Sequence, residues 1–311
     1  MGGRDRKFFS YAVNHIYQNT KDGINIFYSV EDYLVYFTIF SNSMAKYGIT
    51  VYGLCLMYDH IHALLSVREQ SSLYKSVGET TSRFVKEYNI EYSRKGPLFN
   101  SPFGSAVKIG EKKVRTAISY LYNNPVEKKL CCRAEQYRWN FIAYIDSPSP
   151  FSEKRTCRES SFELLKSKKE VKNTFNAGCH LNYTLLKRLL SKLDMKERDI
   201  LVDYAISLYS RLDYKGLVRY YGGYHKMLVA INSNTGSEYD IPETFYKAPD
   251  TAYREMIRYV EDICGIRSAG NVVSLPISVK YELYSRLKRI TGAHDFQIKK
   301  FLHLPSNYRK L

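Results

Sequence analysis

No run of apolar residues in this 311-residue chain is long enough to cross a bilayer as a helix, which takes about 20 residues. A helical membrane span is therefore not expected. The first residues, MGGRDRKFFSY, are charged and lack the apolar stretch of a secretory signal, so none is expected there. Arg6 stands where a myristoylation signal prefers Ser or Thr, which sets that reading aside. Cysteine is sparse and unpatterned: Cys55, Cys131, Cys132, Cys157, Cys179 and Cys264 form no Cys-x-x-Cys pair. Neither a disulfide framework nor a zinc knuckle is expected, and the thiols read as reduced. Gly-x-x-x-x-Gly-Lys-[Ser/Thr], the phosphate-binding loop of a helicase or ATPase, is missing as well.

Acid is the other shortage. Against 47 Lys and Arg stand 31 Asp and Glu, a net charge of +16. The excess is spread over both halves, +6 for residues 1–150 and +10 for 151–311. A polyanionic partner follows naturally, because each phosphate neutralised releases counterions. The 29 Tyr and 15 Phe suit single-stranded nucleic acid, whose bases stack on exposed rings, although most rings must be core.

Hydrophobic periodicity gives a mixed order up to about residue 145. Strands are expected at 8–17 (FFSYAVNHIY), 24–28 (INIFY), 49–58, 60–67 and 101–109. Helices are expected from Ser29, an N-cap with Asp32 three residues on, to Gly48, then over 72–95 and over 111–124, where Pro125 should stop the last one. Residues 147–161 are rich in Ser, Pro and charge and read as a linker. Beyond, over 162–311, the pattern is helical throughout, with two helices and a tight turn near 283–304 that fit a helix-turn-helix. No internal repeat is visible.

Two stretches carry chemistry. In MYDHIHALLSV (57–67) the strand alternation puts Ile61, Ala63, Leu65 and Val67 on one side and His60 and His62 together on the other. Two imidazoles on one face either hydrogen-bond beneath a helix or converge on a divalent ion. In ISYLYNNPVEKKL (118–130), Tyr120 and Asn124 lie four apart on one helix face, while Tyr122 is turned about 200° away from Tyr120. A tyrosine beside a carboxamide either packs at a helix end or serves as a nucleophile next to a metal ligand.

Taken together and in this order, LMYDHIHALLSV, GPLFNSPFGSAVKI (96–109), YLYNNPVEKKL and QYRWNFIAY (136–144) resemble the HUH single-tyrosine transposases, in their REP-associated branch. The resemblance covers residues 5 to about 146. It implies an α+β fold, a ferredoxin-like antiparallel sheet with helices on one face over 1–146, followed by an all-helical domain. It also implies a metal-dependent transposase that cuts single-stranded DNA of hairpin or repeat structure. Carried over by position, Tyr120 would be the nucleophile and His60, His62 and Asn124 the ligands of Mg²⁺ or Mn²⁺. The product would be a 5′-phosphotyrosine link and a free 3′ hydroxyl. Two positions depart from the family pattern: Asp59 replaces the usual Asn before the first His, and Tyr58 replaces a Pro.

Lys108, Lys112, Lys113 and Arg115 are candidates for DNA-backbone contacts, with Arg83 and Lys86 behind them. A domesticated relative that holds a DNA hairpin without cutting it is the alternative function. The setting implied is the bacterial cytoplasm, at the nucleoid. The helical half serves equally to grip duplex DNA, to form a homodimer or to bind another protein, and its sequence does not choose among them.

Overall fold

The computed structural model describes residues 7–101, 103–154, 156, 159–233, 248–266 and 268–305. Residues 1–6 of the expected first domain, and Arg155, Cys157 and Arg158 of the expected linker, lie outside that set.

Four strands make one antiparallel sheet: β1 (Val13–Asn19), β2 (Thr50–Leu56), β3 (His60–Ser66) and β4 (Gly104–Lys108), in the spatial order β2-β3-β1-β4. With α1 (Val30–Lys46) after β1 and α2 (Gln70–Glu91) after β3, the connectivity is βαββαβ, the ferredoxin-like arrangement expected. Alternation along β3 sorts its side chains. Ile61, Ala63 and Leu65 meet Ile16 and, from α1 and α2, Tyr36, Phe40, Met44 and Val77. The opposite face is covered by α3 (Glu111–Glu127), which follows β4 and crosses β2 and β3. The two helices inside the βαββαβ unit thus share one face, and the third lies across the other.

Local chemistry explains the helix ends. Ser29 and Asp32 form a reciprocal capping box at the start of α1, as their spacing predicts. Asp32 does more: its other oxygen accepts from the phenols of Tyr92 (2.9 Å) and Tyr183 (2.8 Å), tying three elements to one carboxyl. Burial pushes that carboxyl up to about 6 against these hydrogen bonds. At the far end of α1 the chain turns at Gly48, with φ of +63°.

Two expectations fail. INIFY is not a strand; it runs extended but joins no ladder, and its amides go singly to Tyr58 O (Ile26, 2.8 Å) and Lys300 O (Asn25, 3.2 Å). Both sides of β1 and β3 are already occupied by other strands, so no inner place is left for it. Pro125 does not stop α3 either. The helix runs through it to Glu127 and closes with Lys128 N donating to Asn124 O. A proline one turn from a helix end removes a single hydrogen bond, and the short remainder can continue.

Close approach of α3 to β2 rests on Gly53, where a Cβ would stand 3.3 Å from both Leu121 and the Tyr122 hydroxyl. After α3, short 3-10 turns over 134–145 lay Trp139 flat on Tyr33, with ring centroids 4.2 Å apart. This is the segment expected to close the sheet half.

The rest is helical: α4 (Phe162–Asn176), α5 (Tyr183–Leu190), α6 (Met195–Tyr209), α7 (Tyr214–Arg219), α8 (Tyr224–Asn232), α9 (Thr251–Arg258), α10 (Ile277–Ile290) and α11 (Asp295–Leu302). These helices wrap the sheet half. α6 packs on α1, α8 on α3 and α7 on β2. The described part of 147–161 is pinned too, with Phe151 N donating to Asp203 (3.0 Å) and Ser207 to Pro148 O. α10 and α11 form the expected helix pair around a turn at 291–294. Its second helix is docked inward: Ile298, Phe301 and Leu302 are fully buried, and the Tyr28 hydroxyl donates to Phe301 O at 2.6 Å. No helix among the described residues is long and apolar enough to cross a membrane, and Cys55, Cys131, Cys132, Cys179 and Cys264 are free thiols.

Candidate active site

The hairpin between β2 and β3 sets the first piece. Met57 N donates to His60 O, and the turn presents Asp59 beside the start of β3. The His60 Nδ1–H donates to Asp59 Oδ1 at 2.6 Å, while Lys300 Nζ, on α11, donates to Asp59 Oδ2 at 2.8 Å. Burial raises the Asp59 carboxyl, but the hydrogen bonds from His60 and Lys300 and the Lys300 charge outweigh it, holding Asp59 below the usual carboxylate range.

From His60 the contacts run inward. His60 Nε2 lies 3.4 Å from Asn124 Oδ1, and Asn124 Nδ2 lies 3.4 Å from His62 Nε2. On the other side of its ring, His62 Nδ1 is 3.1 Å from Nε2 of His15, on β1. Tyr120, one turn before Asn124 on α3, sets its ring at 84° to His62 with centroids 5.5 Å apart, and 5.8 Å from His15. His15 and His62 are fully buried, and Tyr120 and Asn124 nearly so. The two stretches singled out in the sequence therefore meet, with Tyr120, His60, His62 and Asn124 in one cluster. Tyr122 does not join it. Its hydroxyl donates to Tyr52 O on β2 (3.1 Å).

The proton positions follow from the partners. If Asn124 Nδ2–H donates to His62 Nε2, the His62 proton sits on Nδ1 and is donated to His15 Nε2. His60, donating through Nδ1 to Asp59, turns the lone pair of Nε2 toward Asn124 Oδ1. Two acceptors then face each other across 3.4 Å, wider than an ordinary hydrogen bond of about 2.7–3.2 Å. Turning the amide over removes the conflict when the His62 proton moves to Nε2 and His15 Nε2–H donates to His62 Nδ1. In the first arrangement a proton on His60 or a cation between the groups relieves it. The donor set fits a small divalent cation: two imidazole Nε2 atoms and a carboxamide oxygen converge, and each imidazole is oriented through its Nδ1, by Asp59 and by His15. Among the described residues no group of three or more His, Cys, Asp or Glu is placed to hold an ion. The third donor here is an amide.

Of the basic candidates, Lys108 closes β4 and is buried, while Lys112, Lys113 and Arg115 lie exposed on the first turns of α3. Lys113 is seven residues, or about 10 Å of helix, from Tyr120. Arg83 is occupied with Glu79 (3.5 Å). Sequence reasoning missed His15 and Lys300. His15 shares the His62 face through the β1–β3 register, which pairs Tyr17 with His62 and His15 with Leu64. Beside His60 opens a cavity of about 270 Å³ whose walls include Asp59, Lys128, Asp250, Tyr253 and Lys300. Asp250 is lifted there to about 6 by burial and by the Asp59 charge.

Residues 10–124 match the family described as transposase IS200 like. Over this part the chain is similar to the IS200-like transposases. The matched segment contains all four residues of the cluster and ends on Asn124. No curated protein matches the chain. A solved structure, that of a REP-associated tyrosine transposase bound to a REP hairpin, is similar over 52% of this chain and 95% of its own, at 11% identity and a TM-score of 0.40.

Proposed function

We propose that the chain is an IS200-like transposase that cuts and rejoins single-stranded DNA through Tyr120, with a divalent ion held by His60, His62 and Asn124. One arrangement carries the reading: the Tyr120 ring lies against His62 while the Asn124 amide bridges both imidazoles. A bound Mg²⁺ or Mn²⁺ would supply charge to polarise the scissile phosphate. The phenol oxygen attacks phosphorus and loses its proton, and the P–O3′ bond breaks. The strand then carries a 5′-phosphotyrosine, and the departing 3′ oxygen takes up a proton. Because the new diester resembles the old one, attack by another 3′ hydroxyl rejoins DNA without an external energy source. Asp59 and His15 act through the imidazoles they orient. We assign the catalytic unit to residues 1–146, and to 162–311 a role in holding DNA that flanks the cut. The substrate class, hairpin or repeat-derived single strands, follows from the resemblance of 56–67 and 120–130 to the REP-associated branch.

The test uses labelled single strands from the flanks of the protein's own gene, incubated with Mn²⁺ or Mg²⁺. A covalent adduct that survives denaturing electrophoresis, requires the metal and disappears in Tyr120→Phe is the expected result. In Tyr122→Phe the adduct persists, and stability falls by about 1 kcal/mol from the lost bond to Tyr52 O. Binding without any adduct, across every flanking repeat, would overturn the proposal.

A further inference from the structure

Beyond the cluster, basic side chains gather between the end of α2 and the start of α10. A cavity of about 610 Å³ there is lined by Lys21, Arg94, Lys95, Lys280 and His303 and by one acid, Asp22. The guanidinium of Arg94 donates only to neutral oxygens: Asn89 Oδ1 (3.0 Å), Gly96 O (3.1 Å) and Pro97 O (2.9 Å). Lys280 is 7% exposed, and its ammonium donates to Val273 O at 2.8 Å. Among the described residues neither cation meets a carboxylate. Burial, and then the nearby Arg94 charge, lower Lys280; burial lowers His303 to about 3, with Lys280 and Arg94 pressing the same way. Such a set repels itself until an anion arrives, since a buried charge is costly unless paired.

Its position suggests which anion. Asp22 lines this cavity, the one beside His60, and a third between them walled by His294, Phe296, Lys299 and Lys300. The three follow α11 away from His60. In the middle one the rings of His294 and Phe296 lie 14° from parallel with centroids 5.7 Å apart. Cations and flat rings along one groove suit an unpaired strand, its phosphates on the former and its bases on the latter.

We infer that the Arg94–Lys95–Lys280 pocket binds a backbone phosphate of the same single strand whose scissile phosphate lies at Tyr120. This inference rests on the proposed function. It makes α10 and α11 the wall of a DNA track, with Arg94 as the planar two-pronged donor that a phosphate accepts best.

Full-length protein is titrated against fluorescein-labelled oligothymidylate by anisotropy over a range of salt. Lys95→Glu and Lys280→Met are compared with Lys169→Ala, on the exposed face of α4. The two pocket variants are expected to bind about 3- to 10-fold more weakly, each losing about 0.7 from the slope of log K against log salt, while Lys169→Ala matches wild type. Should Lys280→Met fail to fold by circular dichroism, the exposed Lys95→Glu decides alone. Wild-type affinity and slope in the pocket variants would overturn the inference, and an intact Tyr120 adduct in the same proteins would leave the proposed function standing. Failure of wild type to bind the oligonucleotide at all would also overturn it.

Discussion

The two faces of the sheet are built from alternate residues of the same strand, yet they are held in different ways. Toward α1 and α2, β3 shows Ile61, Ala63 and Leu65, which lie among mostly apolar side chains and owe their place to surface removed from water. Toward α3 it shows the half-buried His60 and the fully buried His62, placed by a chain of polar contacts running from Lys300 through Asp59, His60, Asn124 and His62 to His15. An apolar face tolerates small shifts because its forces have no direction. A chain of hydrogen bonds does not, since every member must point the right way. Stability and chemistry are thereby assigned to opposite sides of one β-strand.

The sharpest way to break that division is to damage each face separately. Leu65→Ala, at a fully buried position, should cost about 2–5 kcal/mol in urea unfolding. Any protein that remains folded should still form the Tyr120 adduct. His15→Ala on the other face should do the reverse, lowering divalent-metal affinity about 10- to 100-fold in calorimetric titration with Mn²⁺ through the lost orientation of His62. If His15→Ala leaves metal affinity untouched, His15 is packing alone.

The smallest effect concerns how α11 is held. His303, just past its end, donates from Nε2 to Asn25 O at 2.6 Å, and burial keeps it neutral down to about pH 3, against an ordinary value of about 6.5. Between those limits the unfolded chain takes up a proton that the folded one refuses, so stability from this group is present above about 6.5 and drains away as pH falls. Asp32, raised to about 6, works in the opposite sense, its ionisation cost disappearing on acidification. The contrast of wild type with His303→Gln isolates the histidine: wild type should lose about 1–2 kcal/mol more than the variant between pH 7 and pH 5.

How much of this was legible depended on sequence distance. The helices, the strands of the sheet and the Ser29–Asp32 cap rest on patterns contained within single elements, whereas the meeting of His60, His62, Tyr120 and Asn124 was expected only from the family resemblance of their two stretches. INIFY misled because composition reports the tendency to extend and not whether an edge is free to receive a strand. Pro125 misled because the rule against proline in helices weakens in the last turn. His15 could be placed on the His62 face, diagonal to it, only with the β1–β3 register in hand, and nothing local marks the register. Lys300 is 241 positions from the Asp59 it contacts, far beyond any periodicity.

That separation has a consequence in time. A ribosome adding about 5–20 residues per second releases His60, His62, Tyr120 and Asn124 roughly ten seconds or more before Lys300. Through that interval Asp59 lacks one of the two partners that fix it, and the imidazole it orients leans on a carboxylate held from one side only. A chain cut short before α11 carries the whole cluster and none of the brace. Synthesis through α11 is thus itself a step in assembling the site.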